Sequence, residues 1–290
     1  MTAFLEEDHV RALLPERSDN FHKGDAGHVL VLAGEKSGAA SLTALAALRS
    51  GAGLVTIAGR ERDVWEARRI APELMGEALD SAGPLAMADV PRLLELCADK
   101  RALAVGPGLG IGPETARVLA SLVAHLAFPI VLDADALNAI AQSGELETIL
   151  AAARAPLVLT PHPKEMARLV QSTVRDVQAD RALTARSFAE RYHLTLVLKG
   201  AHTVVANAQG DLAINPTGNP GMATAGMGDA LTGCIAALCA QSIDPWDAAR
   251  LAVFAHGLAG DLMVQRRGRL GLIATDVIDG LCFVWRRWKR

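Results

Sequence analysis

Short apolar runs alternate along most of the chain with segments whose apolar positions recur every three or four residues. The runs predict strands at residues 28–33, 54–58, 102–105, 130–132, 157–160 and 194–198. The periodic segments predict helices at 38–50, 114–125, 136–142, 175–192 and 247–265, and residues 230–240 form an apolar run long enough for a buried helix. Strand–helix alternation of this kind builds βαβ units. The fold class is therefore α/β, with a mainly parallel central sheet and helices on both faces. Near residues 204–206 and 212–215 the period changes, and Asn207-Ala-Gln-Gly-Asp211 reads as a hairpin turn between them, a small antiparallel addition to the sheet. Residues 1–27 are polar apart from a short amphipathic segment at 8–14, and residues 61–88 give no readable element. Neither a linker nor a fixed-period repeat divides the chain, so residues 1–290 are expected to form one domain.

The 290 residues are 51% apolar but only 4% aromatic, so the core must be aliphatic, which suits a buried parallel sheet. A net charge of −3 leaves no electrostatic footprint for nucleic acid. The basic tail, Arg286-Arg-Trp-Lys-Arg290, reads as a solvated helix end, where cations complement the dipole. Cys97, Cys234, Cys239 and Cys282 form no CxxC pair and read as buried, reduced thiols. The start of the chain lacks the pattern of a signal peptide, and no apolar stretch is long enough to span a membrane. A cytoplasmic protein is expected.

Each polar cluster of note follows a predicted strand. Ligands of open α/β sheets sit beyond the carboxyl ends of the strands, so these clusters should converge on one rim. Gly106-Pro-Gly-Leu-Gly110 is not the dinucleotide fingerprint, but its bare backbone admits a ligand the size of a cofactor. Asp133 and Asp135 either hold a magnesium ion through water or cap the helix starting at Ala136, with Asp133 the better candidate for ion or phosphate work. His162, held between two prolines, suits ligand contact, and a rigid turn would also explain it; Glu165 caps or orients. Lys199-Gly-Ala-His-Thr203 puts a cation, a bare backbone and a hydroxyl at a strand end, a set that suits a nucleotide phosphate or ribose. Gly38, Ala39 and Ala40 leave room for a flat ring or a sugar, whereas His22 and Lys23 read equally well as plain surface residues.

The densest cluster runs from Asn215 to Gly233 and contains five glycines in nineteen residues. Gly226-Met-Gly-Asp229 ends it, directly before the apolar run. A bare loop leading into a helix start offers unpaired N–H groups and a positive dipole end, a place for phosphate or a developing anion. Asp229 then stands where a general base meets a hydroxyl beside that anion. Asp is also a good helix cap, but the length of the string, with its asparagines and prolines, exceeds what a cap needs.

These strings, together with residues 28–34, 46–55 and 255–261, occur in an order that resembles the ADP/ATP-dependent NAD(P)H-hydrate dehydratases over nearly the whole chain. The resemblance implies a ribokinase-like fold. It implies repair of NADH or NADPH that has added water across its reduced ring: the ring hydroxyl of the S-epimer is phosphorylated from ADP or ATP, and phosphate then leaves. Carried over by residue, Asp229 would be the base, and Gly226, Met227 and Gly228 would present N–H groups to the phosphoryl group. Lys199, Gly200, Ala201, His202, Thr203 and Gly228 would hold the nucleotide, while Ala39, Gly108 and His162 would contact the hydrate. Mg2+ is expected to bridge the nucleotide phosphates, without a dedicated cage. Met227 stands where a smaller residue is expected and would tune nucleotide fit at most. About twenty residues precede the first motif, so an epimerase domain is expected to be absent and its activity supplied by a separate protein. The alanine-rich surface suggests a homo-oligomer, a tetramer as in the family.

Two other readings compete. A vitamin-precursor kinase of the same fold, for hydroxyethylthiazole or hydroxymethylpyrimidine, would share residues 226–229 but release a stable phosphate ester. A non-enzymatic nucleotide sensor would have a decayed site, and the retention of Asp229 and its glycines argues against it.

Overall fold

A computed structural model describes residues 2–81 and 83–288. In chain order the elements are β1 (Thr2–Phe4), α1 (Glu7–Arg11), β2 (His28–Leu32), α2 (Ser37–Arg49), β3 (Leu54–Arg60), α3 (Glu61–Arg68), β4 (Met75–Leu79), α4 (Val90–Cys97), β5 (Ala102–Val105), α5 (Thr115–His125), β6 (Ile130–Leu132), α6 (Ala134–Ser143) and α7 (Leu146–Ala151). They continue with β7 (Leu157–Leu159), α8 (Pro163–Leu169), α9 (Val174–Ala179), α10 (Arg181–Tyr192), β8 (Thr195–Leu198), β9 (Val204–Ala206), β10 (Leu212–Ile214), α11 (Met227–Ala240), α12 (Pro245–Arg267) and α13 (Ala274–Trp288). One sheet carries the strands in the order β1-β10-β9-β8-β7-β6-β5-β2-β3-β4. All neighbours are parallel except β8 with β9 and β9 with β10, so the expected antiparallel addition is a meander at one side.

Alternation along the strands divides the core into two layers. Val29 and Val31 of β2 and Ala102 and Ala104 of β5 face one cluster, shared with α2, α11, α12 and α13. Leu30, Leu32, Leu103 and Val105 face the other, under α4 to α8 and α10. Small side chains dominate the first face, and they let α11 lie close. Twelve residues of that helix are buried, from Met227 through Ala240. A Cβ at Gly233 would sit 2.0 Å from the Thr43 carbonyl of α2, so only glycine permits this approach.

The sheet order places β2 beside β5 although two strands separate them in sequence. After β4 the chain crosses back, and the crevice at the carboxyl ends of β2 and β5 is a topological switch point, the usual ligand position in such sheets.

Several expectations need correction. Residues 175–192 are not one helix: Asp180 takes an extended backbone and caps α10 by accepting from Leu183 N at 2.8 Å, which breaks the segment in two. Residues 61–88 contain α3 and β4, hidden in sequence because β4 is an edge strand with only Leu79 fully buried. β1 at the opposite edge and the short α7 and α8 were likewise unread. The basic tail proves to be the end of an amphipathic helix, α13, whose buried face includes Val277, Leu281, Val284 and Trp288; Lys289 and Arg290 lie outside the described residues. Of the cysteines, Cys282 is exposed, not buried, since it falls on the outer face of α13. Among the described residues no helix is long and apolar enough to cross a membrane.

The close approach of α11 and α2 makes a direct prediction. Gly233→Ala must push the helices apart, and overpacking of this kind costs about 1–3 kcal/mol. Chemical denaturation followed by circular dichroism should show a lowered midpoint with an unchanged slope.

Candidate active site

The site is built on the first turn of α11. Gly226 takes a left-handed backbone, φ 89°, and a Cβ there would meet Leu42 at 2.5 Å. This turn ends the loop and starts the helix, whose first intrahelical bond is Ala230 N to Gly226 O at 2.9 Å. The N–H groups of Met227, Gly228 and Asp229 therefore precede the helix ladder and remain open to a ligand. The loop before them is tied to α12. Asn215 donates to the Val253 carbonyl, Thr217 to the Phe254 carbonyl, and Gly218 N and the Asn219 amide both donate to Asp261. Met227 has its side chain in the core, 7% exposed, so it does not tune nucleotide fit; its main chain alone reaches the rim.

Beneath this turn lies a buried ion pair. Lys199 Nζ, at the end of β8, donates to Asp133 Oδ1 at 2.6 Å, and Thr232 of α11 donates to Asp133 Oδ2 at 2.8 Å. Asp133 is 1% exposed. Burial alone would raise its pKa, but the Lys199 ammonium and the hydrogen bonds from Lys199, Thr232 and Thr160 outweigh it and hold the carboxyl below its ordinary range. Asp133 thus neither caps α6 nor stands free for an ion. Asp135 likewise serves structure, accepting from Gly110 N at 3.0 Å. A Cβ on Gly228 would lie 3.2 Å from Lys199 Nζ, so glycine here brings the ammonium up against the helix start.

Asp229 is half-buried and sits in the same field. Burial, with Asp133 adding to it and Lys199 opposing, raises its pKa from 3.8 to about 6. A carboxylate so raised is a stronger base than an exposed one yet still ionised at neutral pH. His256 of α12, also buried, is held neutral: burial first, then Lys199, lowers its pKa to about 4, and its Nε2 has no partner.

The remaining candidates lie on the same rim. Gly108, φ 62°, abuts α2, where a Cβ would meet the Lys36 carbonyl at 2.4 Å and Ala39 Cβ at 2.9 Å. Ala39 and Gly108 are thus neighbours at the switch point, and Gly38 beside them faces open space. His162 is the N-cap of α8: its Nδ1 accepts from Lys164 N and Glu165 N, both at 3.1 Å, and Glu165 returns the bond to His162 N. An Nδ1 that accepts leaves the ring proton on Nε2, which lies 3.2 Å from Glu165 Oε1. Burial and then Lys199 lower the His162 pKa, in keeping with this neutral form. Burial raises that of Glu165. Residues 199–203 form the turn between β8 and β9, where Lys199 N donates to Pro161 O and Thr203 Oγ1 to Gly200 O. At the amino end of β2, opposite this rim, His22 is exposed and bonds within its own turn to Asp25.

Sequence reasoning missed Thr232, His256 and Arg181. Thr232 and His256 stand out only as polar residues inside apolar helical runs, and Arg181 only as a cation directly after a cap. Among the described residues no group of three or more His, Cys, Asp or Glu could hold a metal ion.

The profile of the NAD(P)H-hydrate dehydratase family matches residues 29–282. The chain belongs to that family. A bifunctional NAD(P)H-hydrate repair enzyme of Moorella thermoacetica is 44% identical over 280 residues, which are 95% of this chain and 52% of the relative. The chain spans about half the length of such bifunctional relatives. The ADP-dependent (S)-NAD(P)H-hydrate dehydratase of Bacillus subtilis is 36% identical and matches over 99% of both chains. A crystal structure of an ADP/ATP-dependent NAD(P)H-hydrate dehydratase from Bacillus subtilis, grown with ATP and Mg2+, superposes with a TM-score of 0.85 at 33% identity, covering 99% of each chain. The ribokinase-like fold expected for the family is the fold found.

The field at Asp229 bears on stability as well as chemistry. The unfolded chain holds this carboxyl near 3.8 and the folded chain near 6, so folding binds a proton between those values. Stability from this residue is therefore highest below about pH 4 and falls as pH rises to about 6. Asp229→Asn should stabilise the fold at pH 8 by on the order of 1–2 kcal/mol and give no gain at pH 4. Urea titrations of both proteins at the two pH values measure the difference.

Proposed function

We propose that this chain is the dehydratase of nicotinamide nucleotide repair, converting the S-epimer of hydrated NADH or NADPH back to the reduced cofactor with ADP or ATP as phosphoryl donor. The observation that carries the reading is Asp229, its pKa raised to about 6, in the first turn of α11, where the N–H groups of Met227, Gly228 and Asp229 follow the Gly226 turn and precede the helix ladder.

Asp229 takes the proton of the ring hydroxyl as its oxygen attacks the terminal phosphorus of the nucleotide, which leaves as AMP or ADP. The N–H groups of Met227 and Gly228, aimed by the left-handed turn at Gly226 and with the helix dipole behind them, stabilise charge on the transferring phosphoryl group. The ring nitrogen's lone pair then expels phosphate, a far better leaving group than hydroxide, and loss of a ring C–H proton restores the double bond. Ala39, Gly108 and His162 line the hydrate's side of the crevice, while Lys199, Gly200, Ala201, His202, Thr203 and Gly228 hold the nucleotide. Mg2+ would arrive with the nucleotide phosphates, because Asp133 is already engaged by Lys199 and Thr232 and, among the described residues, no group of three or more His, Cys, Asp or Glu could hold the ion.

A kinase releasing a stable ester would use the same turn. The match of the full chain to dehydratases at 36% identity favours the dehydratase. A cytoplasmic setting and functional pairing with an epimerase activity on the R-epimer complete the reading.

Purified protein, hydrated NADH, Mg2+ and ADP or ATP should regenerate reduced-nicotinamide absorbance. Recovery with neither nucleotide would defeat the proposal, and accumulation of a phosphorylated hydrate would turn it towards a kinase. Asp229→Asn should reduce kcat by about a hundred-fold or more while still binding nucleotide. Because the base must be ionised, kcat/KM for the hydrate should be half-maximal near pH 6 and fall about ten-fold for each pH unit below it.

We further propose a homotetramer. Light scattering at micromolar concentration should give a mass above that of one chain, and a monomer there would overturn this.

A further inference from the structure

Arg181 opens α10, directly after its cap Asp180, and turns its guanidinium back under the turn between β8 and β9. Three carbonyl oxygens converge on it. Ala201 O accepts from one terminal nitrogen at 2.6 Å; Leu198 O and Lys199 O accept from the other at 2.7 and 3.1 Å. Its Nε is buried without a partner. Burial alone lowers its pKa, with no carboxylate contributing. A guanidinium normally finds a carboxylate or phosphate that matches its fork. This one is spent on main-chain oxygens.

That choice has two physical consequences. A peptide unit is planar and trans, so its C=O and the N–H that follows point in opposite directions. Drawing the Lys199 and Ala201 carbonyls in towards Arg181 turns the N–H groups of Gly200 and His202 away from it. Among the described residues neither of those N–H groups donates to a main-chain acceptor. The backbone is held in unusual regions to allow this, with φ 142° at Gly200 and 53° at His202. A Cβ on Gly200 would lie 3.1 Å from an Arg181 terminal nitrogen, so the glycine also makes room for the guanidinium. The second consequence is charge. Among the described residues no carboxylate pairs with this cation, and it lies against the turn that would hold an anionic nucleotide.

We propose that Arg181 is a positioning residue for the nucleotide: it gathers the carbonyls of 198, 199 and 201, aims the N–H groups of Gly200 and His202 at the ligand, and adds a positive charge answered by the nucleotide phosphates. The proposal rests on the reading that residues 199–203 hold ADP or ATP. It adds to that reading a residue from outside the turn, on a different element.

The test uses Arg181→Lys and Arg181→Met in the full chain, with Mg2+ and ADP. Lysine keeps the charge but cannot bridge three carbonyls; methionine removes both. The KM for ADP should rise roughly ten-fold or more with methionine and by a smaller factor with lysine, because hydrogen bonds to a charged group are lost. At saturating ADP, kcat and the KM for hydrate should stay within about two-fold of the parent. An unchanged KM for ADP in either folded variant overturns the proposal. So does a loss of kcat that merely follows the loss of folded protein seen by circular dichroism. If the methionine variant does not fold, the lysine variant decides. Hydrogen exchange on the parent separates the two layers of the argument. If ADP slows exchange at Gly200 and His202 there, yet both variants bind ADP normally, the positioning role is wrong and the nucleotide reading stands. If ADP leaves those amides unprotected in the parent, the nucleotide reading itself fails and takes this proposal with it.

Discussion

A helix with no polar face organises this molecule. α11 is apolar nearly all round, so it must be covered by the sheet beneath it and by α2, α12 and α13 around it. Coverage that tight needs small partners. Valine and alanine on that face of β2 and β5, glycine at 233 and alanines along α2 supply them. The constraint fixes where the helix starts. Its last turn is pinned against the loop before β2, where a Cβ on Gly27 would meet the Ala240 carbonyl at 2.0 Å. Its first turn is thereby delivered to the crevice between the ends of β2 and β5. The open N–H groups at this helix start are a by-product of how a fully buried helix must begin.

The same burial sets the electrostatics. A carboxylate taken out of water raises its pKa unless something compensates. Asp133 is compensated, by Lys199 and Thr232, and stays ionised although it is almost wholly inaccessible. Asp229 is compensated only in part, because Asp133 repels it while Lys199 attracts it. Two carboxyls in one small volume are thus driven apart in pKa, the pattern by which a site separates a structural charge from a working base. Lys199 is the hinge between them. It belongs by sequence to the turn proposed to hold the nucleotide and by geometry to the buried pair, so charge brought in by a nucleotide would be felt at Asp229 through the same ammonium.

Much of this was legible in the sequence because it is carried by glycine and by short apolar runs. Parallel strands covered on both faces read as uninterrupted apolar segments, and their loops announce themselves where the backbone must take positive φ, as at Gly106, Gly108 and Gly226. What stayed hidden has physical reasons too. Edge strands β1 and β4 lack a second covered face and so lack the apolar signature. The division of α9 from α10 depends on one residue, Asp180, preferring to cap the next helix over continuing the last. The Asp133–Lys199 pair joins residues far apart in sequence, and neither carries a local mark of the other. The cap made by His162 shows the opposite problem: its sequence context of two prolines was read correctly as stiff, but stiffness alone does not say whether an imidazole faces a ligand or its own backbone.

The division of labour in the site follows from these points. Under the proposed function, side chains do little direct work: one carboxylate for the proton, one ammonium for charge, small residues at 38, 39 and 108 for space. Most of the binding surface in that proposal is main chain, presented by turns at 106–110, 199–203 and 226–229. A main-chain donor is indifferent to the side chain it carries, which is why Met227 can bury its own in the core while its N–H remains at the rim. Such donors have no freedom to adjust, however. They point wherever the turn points them, so the chemistry depends on whatever holds the turn. For 226–229 that is the packing of α11. For 199–203 it is a hydrogen-bonded turn on the meander side of the sheet, away from the tightly covered centre, and a turn in that position needs an anchor of its own.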